Sequence, residues 1–411
     1  MLIDKNIQLK VNLPLNKSIF NRYLILSYLY NHKNLPIVKE DYPDDIKLLN
    51  QILIDDIPEI CDCDNAGTAL RFLLSVVSIQ KENTILTGNS RMMLRPIDGL
   101  VNALEELGAK IEFIKNTNYP PIKVLKTISL KDINNIPNSI KINDTKSSQF
   151  VSSIMMIAPK FNKEFVIDFN DNIGSFEYIK MTSKLMNSIG LKNKITKNKI
   201  RILPIKNPLN FDEKLIENDW SAASFFYTIL LAYKQGNITL ENLNKNSIQG
   251  DKAIMDIMLN FGIKSIQSGN NIIISKDEKT ILKDVIKIDV SNCPDLAPPI
   301  AVSSVISNIE TYIYGIENLK YKESDRIFSI CNNIKKLNFK VEKKDNFIHI
   351  YKNENKNVWN ELKEKNIIIE TENDHRIAMA FAVFENLFEN IKLDDKKCVS
   401  KSFPNFFNFV I

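Results

Sequence analysis

The chain has 411 residues, 44% hydrophobic and 25% charged, with 54 basic against 49 acidic side chains. A net charge of +5 is too mild to mark a nucleic-acid binder. No run of 18 apolar residues offers a membrane span. Five cysteines without framework spacing point to a reducing compartment. The first residues, MLIDKNIQLKVNLP, lack a basic-then-apolar secretion signal, so a cytoplasmic protein of two or three domains is expected.

In chain order, apolar helices are expected to begin near Ser18, Thr68, Gln149, Ser221, Asp295 and His375, as in LRFLLSVVSI, FVSSIMMIAP and SFFYTILLAY. Most are followed by a polar break and a short strand, such as NTILTG, NITLEN and ETYIYGI. Cys61 and Cys63 form a CxC whose alternation fits a strand better than a zinc site. A second helix series closes as LGAK, IGLK, FGIK and LNFK, with Gly108, Gly190, Gly262 or Asn338 where a left-handed cap is needed. The recurrence, roughly 70 to 80 residues, suits a βαβαββ-sized unit. The chain therefore reads as about six degenerate helix–strand units in an α/β architecture.

The starts of the first helices are polar: NKSIFNR, DNAGTALR, TKSSQF, NDWSAAS, NCPDLAP and NDHRIAM. Capping accounts for Asn, Asp and Ser at such places. It does not account for Lys17, Arg22, Arg71 and Arg376, because a helix start already carries partial positive charge. KYKESDRI raises the same difficulty. Lys322 and Arg326 would share a face if the segment were helical, and like charges at that spacing repel. A bound anion removes both difficulties, since helix N-termini and cationic side chains bind phosphate and carboxylate.

DNAGTALRFL, GNSRMMLRPI, KSSQF, CPDLAPPIA, NLKYKESDRI, NDHRIAMAF and SKSFPNFF, in that order, resemble the EPSP synthase (3-phosphoshikimate 1-carboxyvinyltransferase) family of enolpyruvyl transferases. The resemblance runs from Lys17 to Lys401. It implies an α/β fold of two similar globular domains, each of three βαβαββ units, closing over an interdomain cleft. It places a discontinuous domain at residues 1–14 plus 218–411, with phosphoenolpyruvate and catalytic contributions. A continuous domain at 15–217 would carry the main shikimate 3-phosphate contacts. The implied reaction moves the enolpyruvyl group of phosphoenolpyruvate to the 5-hydroxyl of shikimate 3-phosphate, through a tetrahedral ketal, with release of phosphate.

Such chemistry needs a base near the hydroxyl, an acid/base near the methylene carbon, and cations for the anionic groups. The resemblance implies Asp295 as the hydroxyl base and Glu323 as the methylene acid/base, with Lys322 and Lys17 assisting proton movement. Phosphoenolpyruvate would be held by Lys17, Gly67, Arg95, Gln149, Arg326, Arg376 and Lys401. Shikimate 3-phosphate would be held by Lys17, Ser18, Arg22, Ser147, Ser148, Gln149, Ser175, Tyr178, Asp295, Asn318 and Lys322. His375 would orient Arg376 or line the site, although a lone His is more often structural. Gly67 goes in this family with sensitivity to glyphosate. No metal or organic cofactor is implied, and the expected partners are the two small substrates, with no nucleic acid, no membrane and a monomeric state.

The sequence departs from the family pattern at Leu15 and Asn16, where Gly and Ser are usual, and at Phe72, where Pro is common. The nearest rival is the sister transferase acting on UDP-N-acetylglucosamine. It would show Lys-Asn near the start and a Cys in the Arg-rich loop, against Lys17-Ser18 and GNSRMMLRP here. A nucleic-acid-binding repeat protein would need a larger basic excess.

Overall fold

The computed structural model describes residues 3–32, 34–143, 147–169, 173–277 and 280–410, without the side chains of residues 4 and 5. Thr145 and Lys146 of the TKSSQF stretch lie outside the described residues. The chain divides into two compact units. The first comprises Met1–Asn16, Asp41–Pro43 and Glu217–Ile411, and the second comprises Lys17–Glu40 and Asp44–Ile216.

Four four-stranded sheets share one plan: a parallel pair joined to an antiparallel hairpin. In the second unit these are Ile60–Asp62, Thr84–Thr87, Ile122–Lys126, Lys110–Phe113 and, separately, Ser139–Ile142, Phe165–Phe169, Lys199–Ile202, Asn193–Ile195. In the first unit, Val285–Asp289, Glu310–Tyr314, Phe347–Ile350 and Val341–Lys343 repeat the order. The other sheet recruits the N-terminal strand Ile3–Asn12, which runs parallel to Tyr233–Glu241 with Val11 opposite Leu240. A right-handed crossover carrying an apolar helix is the usual route between parallel neighbours. Gly67–Gln80, Ser148–Ile157 and Ala297–Ser307 fill that place in three of the sheets.

Burial explains the two helix series. Trp220–Ala232 (WSAASFFYTILLA) is buried along its whole length, which requires an almost uniformly apolar helix. Arg326–Lys336 buries only one stripe, including Ile327, Ile330 and Ile334, and leaves Lys335 and Lys336 in its last turn, where cations suit the helix dipole. The second series ends as its punctuation requires. Gly108, Gly190, Gly262 and Asn338 have φ of 105°, 103°, 75° and 62°. Cys61 lies in the strand Ile60–Asp62, Cys63 directly follows it, and both are buried.

The sixfold plan is not uniform. Ile367–Ile369 pairs only with Ile391–Leu393, and the helices Lys17–Tyr30 and Asp44–Ile54 have no sheet of their own among the described residues. Prolines give the reason. Pro36 and Pro43 bracket Ile37 and Val38, and Pro204 and Pro208 interrupt LPIKNPLNF, so neither stretch can supply an unbroken ladder of donors.

The two stretches leading into and out of the second unit are pinned to the first. Leu15 bridges Asn218, the Asn16 amide N–H donates to Glu217 O at 2.8 Å, and Asp219 N–H donates to Pro14 O at 2.9 Å. The Asn16 side chain donates to Asp219 Oδ1 and to Gln249 Oε1, both at 2.7 Å. Serine, with one hydroxyl proton, could not donate to both.

Candidate active site

In the first unit, Asp295 sits in the tight turn Pro294–Leu296 that opens onto the helix Ala297–Ser307. Its Oδ1 is 2.7 Å from Arg326 Nη1 and 3.9 Å from Lys322 Nζ, and its Oδ2 is 2.8 Å from Arg376 Nη2. Arg326 is wholly enclosed and is the centre of the cluster. Its Nη2 meets Glu323 Oε2 at 2.7 Å and its Nε meets Asp374 Oδ2 at 2.7 Å. Asp374 in turn accepts from Ser324 Oγ at 3.1 Å and caps the helix His375–Phe381 through Arg376 N–H at 2.9 Å. His375 is fully buried, with Nδ1 3.8 Å from Asp374 Oδ1.

This geometry corrects the helical reading of KYKESDRI. The helix begins at Arg326 behind an Asp325 cap, while Lys322 is extended and Glu323 precedes the first turn. Lys322 and Arg326 therefore share no helical face, and both reach Asp295 from different backbone settings. Their charge is met here by carboxylates. Arg326, expected on phosphoenolpyruvate, turns its nitrogens to Asp295, Glu323 and Asp374.

The charges tune one another. Burial alone would raise the Asp295 carboxyl, but Arg376, Lys322 and Arg326 outweigh it and hold it well below the usual carboxylate range. Burial lowers the Lys322 ammonium, opposed chiefly by Asp295. Burial also works against the Arg326 cation, but Asp374, Glu323 and Asp295 raise it well above its ordinary value. Asp251, buried behind this cluster and hydrogen-bonded by Ser221 Oγ, is pushed up to about 7 by burial and by Asp295.

The second unit gathers its own cations. Lys17 is the first residue of the helix Lys17–Tyr30, with Nζ 2.8 Å from Asp45 Oδ2. Gly67 opens the helix Gly67–Gln80, and Arg95 and Arg71 lie across it. Arg95 Nη1 donates to Asn65 O at 3.1 Å. Arg71 Nη1 donates to Gln149 Oε1 at 2.7 Å, and Gln149 Nε2 donates to Thr68 Oγ1 at 3.0 Å. Ser147 caps the helix Ser148–Ile157. Ser175 stands in left-handed conformation, φ 62°, before the helix Phe176–Ile189, and its carbonyl accepts from Tyr178 N–H. Arg22 Nη1 donates to Ser18 O at 2.8 Å, and Arg22 lies 5.9 Å from the Tyr178 ring.

Gly67, Arg95 and Gln149 are thus linked through Arg71 and Thr68, Lys17 is held by Asp45, and Ser18, Arg22 and Tyr178 form a further set. Asn318 precedes the turn Leu319–Tyr321 that delivers Lys322. Lys401 closes the turn Lys397–Lys401, which packs on the helix carrying His375 and Arg376. Sequence reasoning did not single out Asp374, Asp251 or Asp45. Asp374 had a signal, since it directly precedes His375 and Arg376 at a helix start; Asp251 and Asp45 had none beyond their acidity.

Comparison with known proteins fits this arrangement. The family model for EPSP synthase (3-phosphoshikimate 1-carboxyvinyltransferase) matches residues 45–410. A 3-phosphoshikimate 1-carboxyvinyltransferase of Buchnera aphidicola subsp. Cinara cedri is 34% identical, over 98% of this chain and 94% of that protein. The protein of the same name from Bacteroides fragilis strain YCH46 is 32% identical over the same shares. In structure, an EPSP synthase from Acinetobacter baumannii superposes with a TM-score of 0.68 over 99% of this chain and 96% of that one, at 19% identity, which speaks for the fold. The chain belongs to the EPSP synthase (3-phosphoshikimate 1-carboxyvinyltransferase) family.

Proposed function

We propose that the protein transfers the enolpyruvyl group of phosphoenolpyruvate to the 5-hydroxyl of shikimate 3-phosphate, releasing phosphate, in the biosynthesis of aromatic amino acids. The observation that carries this reading is Asp295 held between Arg326, Arg376 and Lys322, with Glu323 on the same guanidinium. Two carboxylates within one cationic cluster support it, because addition to and elimination from an anionic enol phosphate call for a base and an acid/base among cations.

The mechanism uses both carboxylates. Glu323 delivers a proton to the methylene carbon of phosphoenolpyruvate, making its neighbour electrophilic. Asp295 takes the proton of the attacking hydroxyl as the new C–O bond forms. Phosphate then leaves the ketal, and Glu323 removes a methyl proton to regenerate the double bond. Without substrate, three cations make Asp295 a weak base. Anionic groups of the substrates draw on Arg376 and Lys322 and so raise its basicity when the hydroxyl is in place. Arg326 acts mainly by fixing Glu323 and Asp295 relative to each other.

The second unit supplies the remaining anion contacts. Lys17, Arg95, Gln149 and the Gly67 backbone take phosphoenolpyruvate. Ser18, Arg22, Ser147, Ser148, Ser175 and Tyr178 take shikimate 3-phosphate. The enzyme works as a cytoplasmic monomer, and glyphosate competes with phosphoenolpyruvate. A phosphate-release assay with phosphoenolpyruvate tests the reading. Release is expected only when shikimate 3-phosphate is added; release with UDP-N-acetylglucosamine instead would overturn it.

A further inference from the structure

Arg22 is buried to 1% exposure, yet no carboxylate lies within ion-pair distance of it among the described residues. Its partners are neutral. Nε donates to Thr182 Oγ1 at 2.6 Å, Nη1 to Ser18 O at 2.8 Å, and Nη2 to Ser152 Oγ and Tyr178 O at 3.4 Å each. The ring of Phe72 stands 5.1 Å from its Cζ and is itself fully buried. Phe72 is a departure from the Pro common in the family, and Pro has no π face. The aromatic ring attracts the cation through its quadrupole and leaves the formal charge whole. A carboxylate at the same place would neutralise it and repel an incoming phosphate.

We propose that Phe72 is a positioning residue for the acceptor substrate, holding the Arg22 guanidinium fully charged against Ser18 and Tyr178. The proposal rests on the reading of Arg22 as a shikimate 3-phosphate residue. A ring with its quadrupole removed, but its shape kept, would leave the packing intact and let the cation shift among its neutral acceptors.

The test replaces Phe72 by phenylalanine carrying progressively more ring fluorines, ending with pentafluorophenylalanine, with Arg22→Lys as a reference. The KM for shikimate 3-phosphate is expected to rise stepwise with fluorination, reaching about tenfold. The KM for phosphoenolpyruvate and kcat should stay within about twofold across the series, because only the placement of the Arg22 cation is loosened. A role in packing alone would not follow fluorine number. A flat series beside an Arg22→Lys variant with raised KM for shikimate 3-phosphate overturns the Phe72 proposal and leaves the Arg22 reading standing. If Arg22→Lys also leaves that KM unchanged, both fall.

Discussion

Arg326 and Arg22 are almost equally buried and opposite in character. Arg326 is ringed by Asp295, Glu323 and Asp374, which raise its pKa well above the ordinary value against burial. Among the described residues Arg22 has only hydroxyls, carbonyls and rings as partners, and burial brings it down to about 10, with Tyr178 opposing. The same side chain thus does two jobs. In the first unit it organises the acids proposed to move protons. In the second it keeps positive charge for the anion proposed to bind there. Neutral acceptors leave a cation's field intact at a cost in stability, whereas carboxylates spend that field on holding the fold and aiming the base.

The comparison breaks most readily on stability. Arg326→Met removes the cation shared by Asp374, Glu323 and Asp295, leaving Arg376 and Lys322 at Asp295, and should cost about 3–5 kcal/mol. Arg22→Met leaves only neutral acceptors unpaired and should cost about 1–3 kcal/mol. Urea unfolding of both variants decides the point, and equal losses would show that the two environments do not differ as described. The Arg326 loss should appear as instability before any selective change in the KM for phosphoenolpyruvate.

Next in size is the chemistry assigned to the first unit. Glu323→Gln keeps an acceptor for Arg326 Nη2 and removes the titrating proton, so kcat should fall by about 100-fold or more with KM values little changed. Rapid-quench measurement of ketal formation would locate the loss. Full turnover in this variant would take the acid/base role away from Glu323.

A smaller effect is expected in the second unit, where cations with neutral partners can be displaced. A Cβ on Gly67 would lie 2.5 Å from Arg95 Nη2 and 2.7 Å from Arg71 Nη1. Those guanidinium ends can move, so Gly67→Ala should fold normally, raise the KM for phosphoenolpyruvate several-fold and weaken glyphosate inhibition more. Inhibition curves for the two proteins check this. Unchanged inhibition would mean that Arg95 and Arg71 are not what the inhibitor meets.

Local physics made much of this legible in the sequence. Gly108, Gly190, Gly262 and Asn338 announced their positive φ because left-handed caps have few solutions. Helix starts at Lys17, Gly67, Trp220 and His375 fell within a residue of their expected places, because a polar stretch followed by an apolar run marks a start. What was hidden depends on contacts distant in sequence. Nothing in KYKESDRI says that Lys322 is extended, since propensity there favours helix and the pull comes from Asp295, 27 residues upstream. Asn16 looked like a defect until its two donors met Asp219 and Gln249, 203 and 233 residues away. Missing strands beside Pro36 and Pro204 were readable and were overlooked in favour of the repeat.

The finest discrimination concerns pH. Asp251 has a folded pKa near 7 against an ordinary value of 3.8, caused by burial and by Asp295. Between those values the folded chain holds a proton that the unfolded chain has lost, so stability falls as pH rises through the window and levels off above it. The shift corresponds to at most roughly 4 kcal/mol. Asp251→Asn removes the titration but buries an amide where Oδ1 has no hydrogen-bond partner among the described residues. The variant should therefore be less stable than the parent at pH 5, where protonated Asp251 costs little, and more stable at pH 8, where the carboxylate is charged. Thermal melts at the two pH values measure the crossing directly. Parallel curves would mean that Arg376 keeps Asp251 ionised throughout, and that the acids of the first unit are more completely neutralised than the contrast between Arg326 and Arg22 requires.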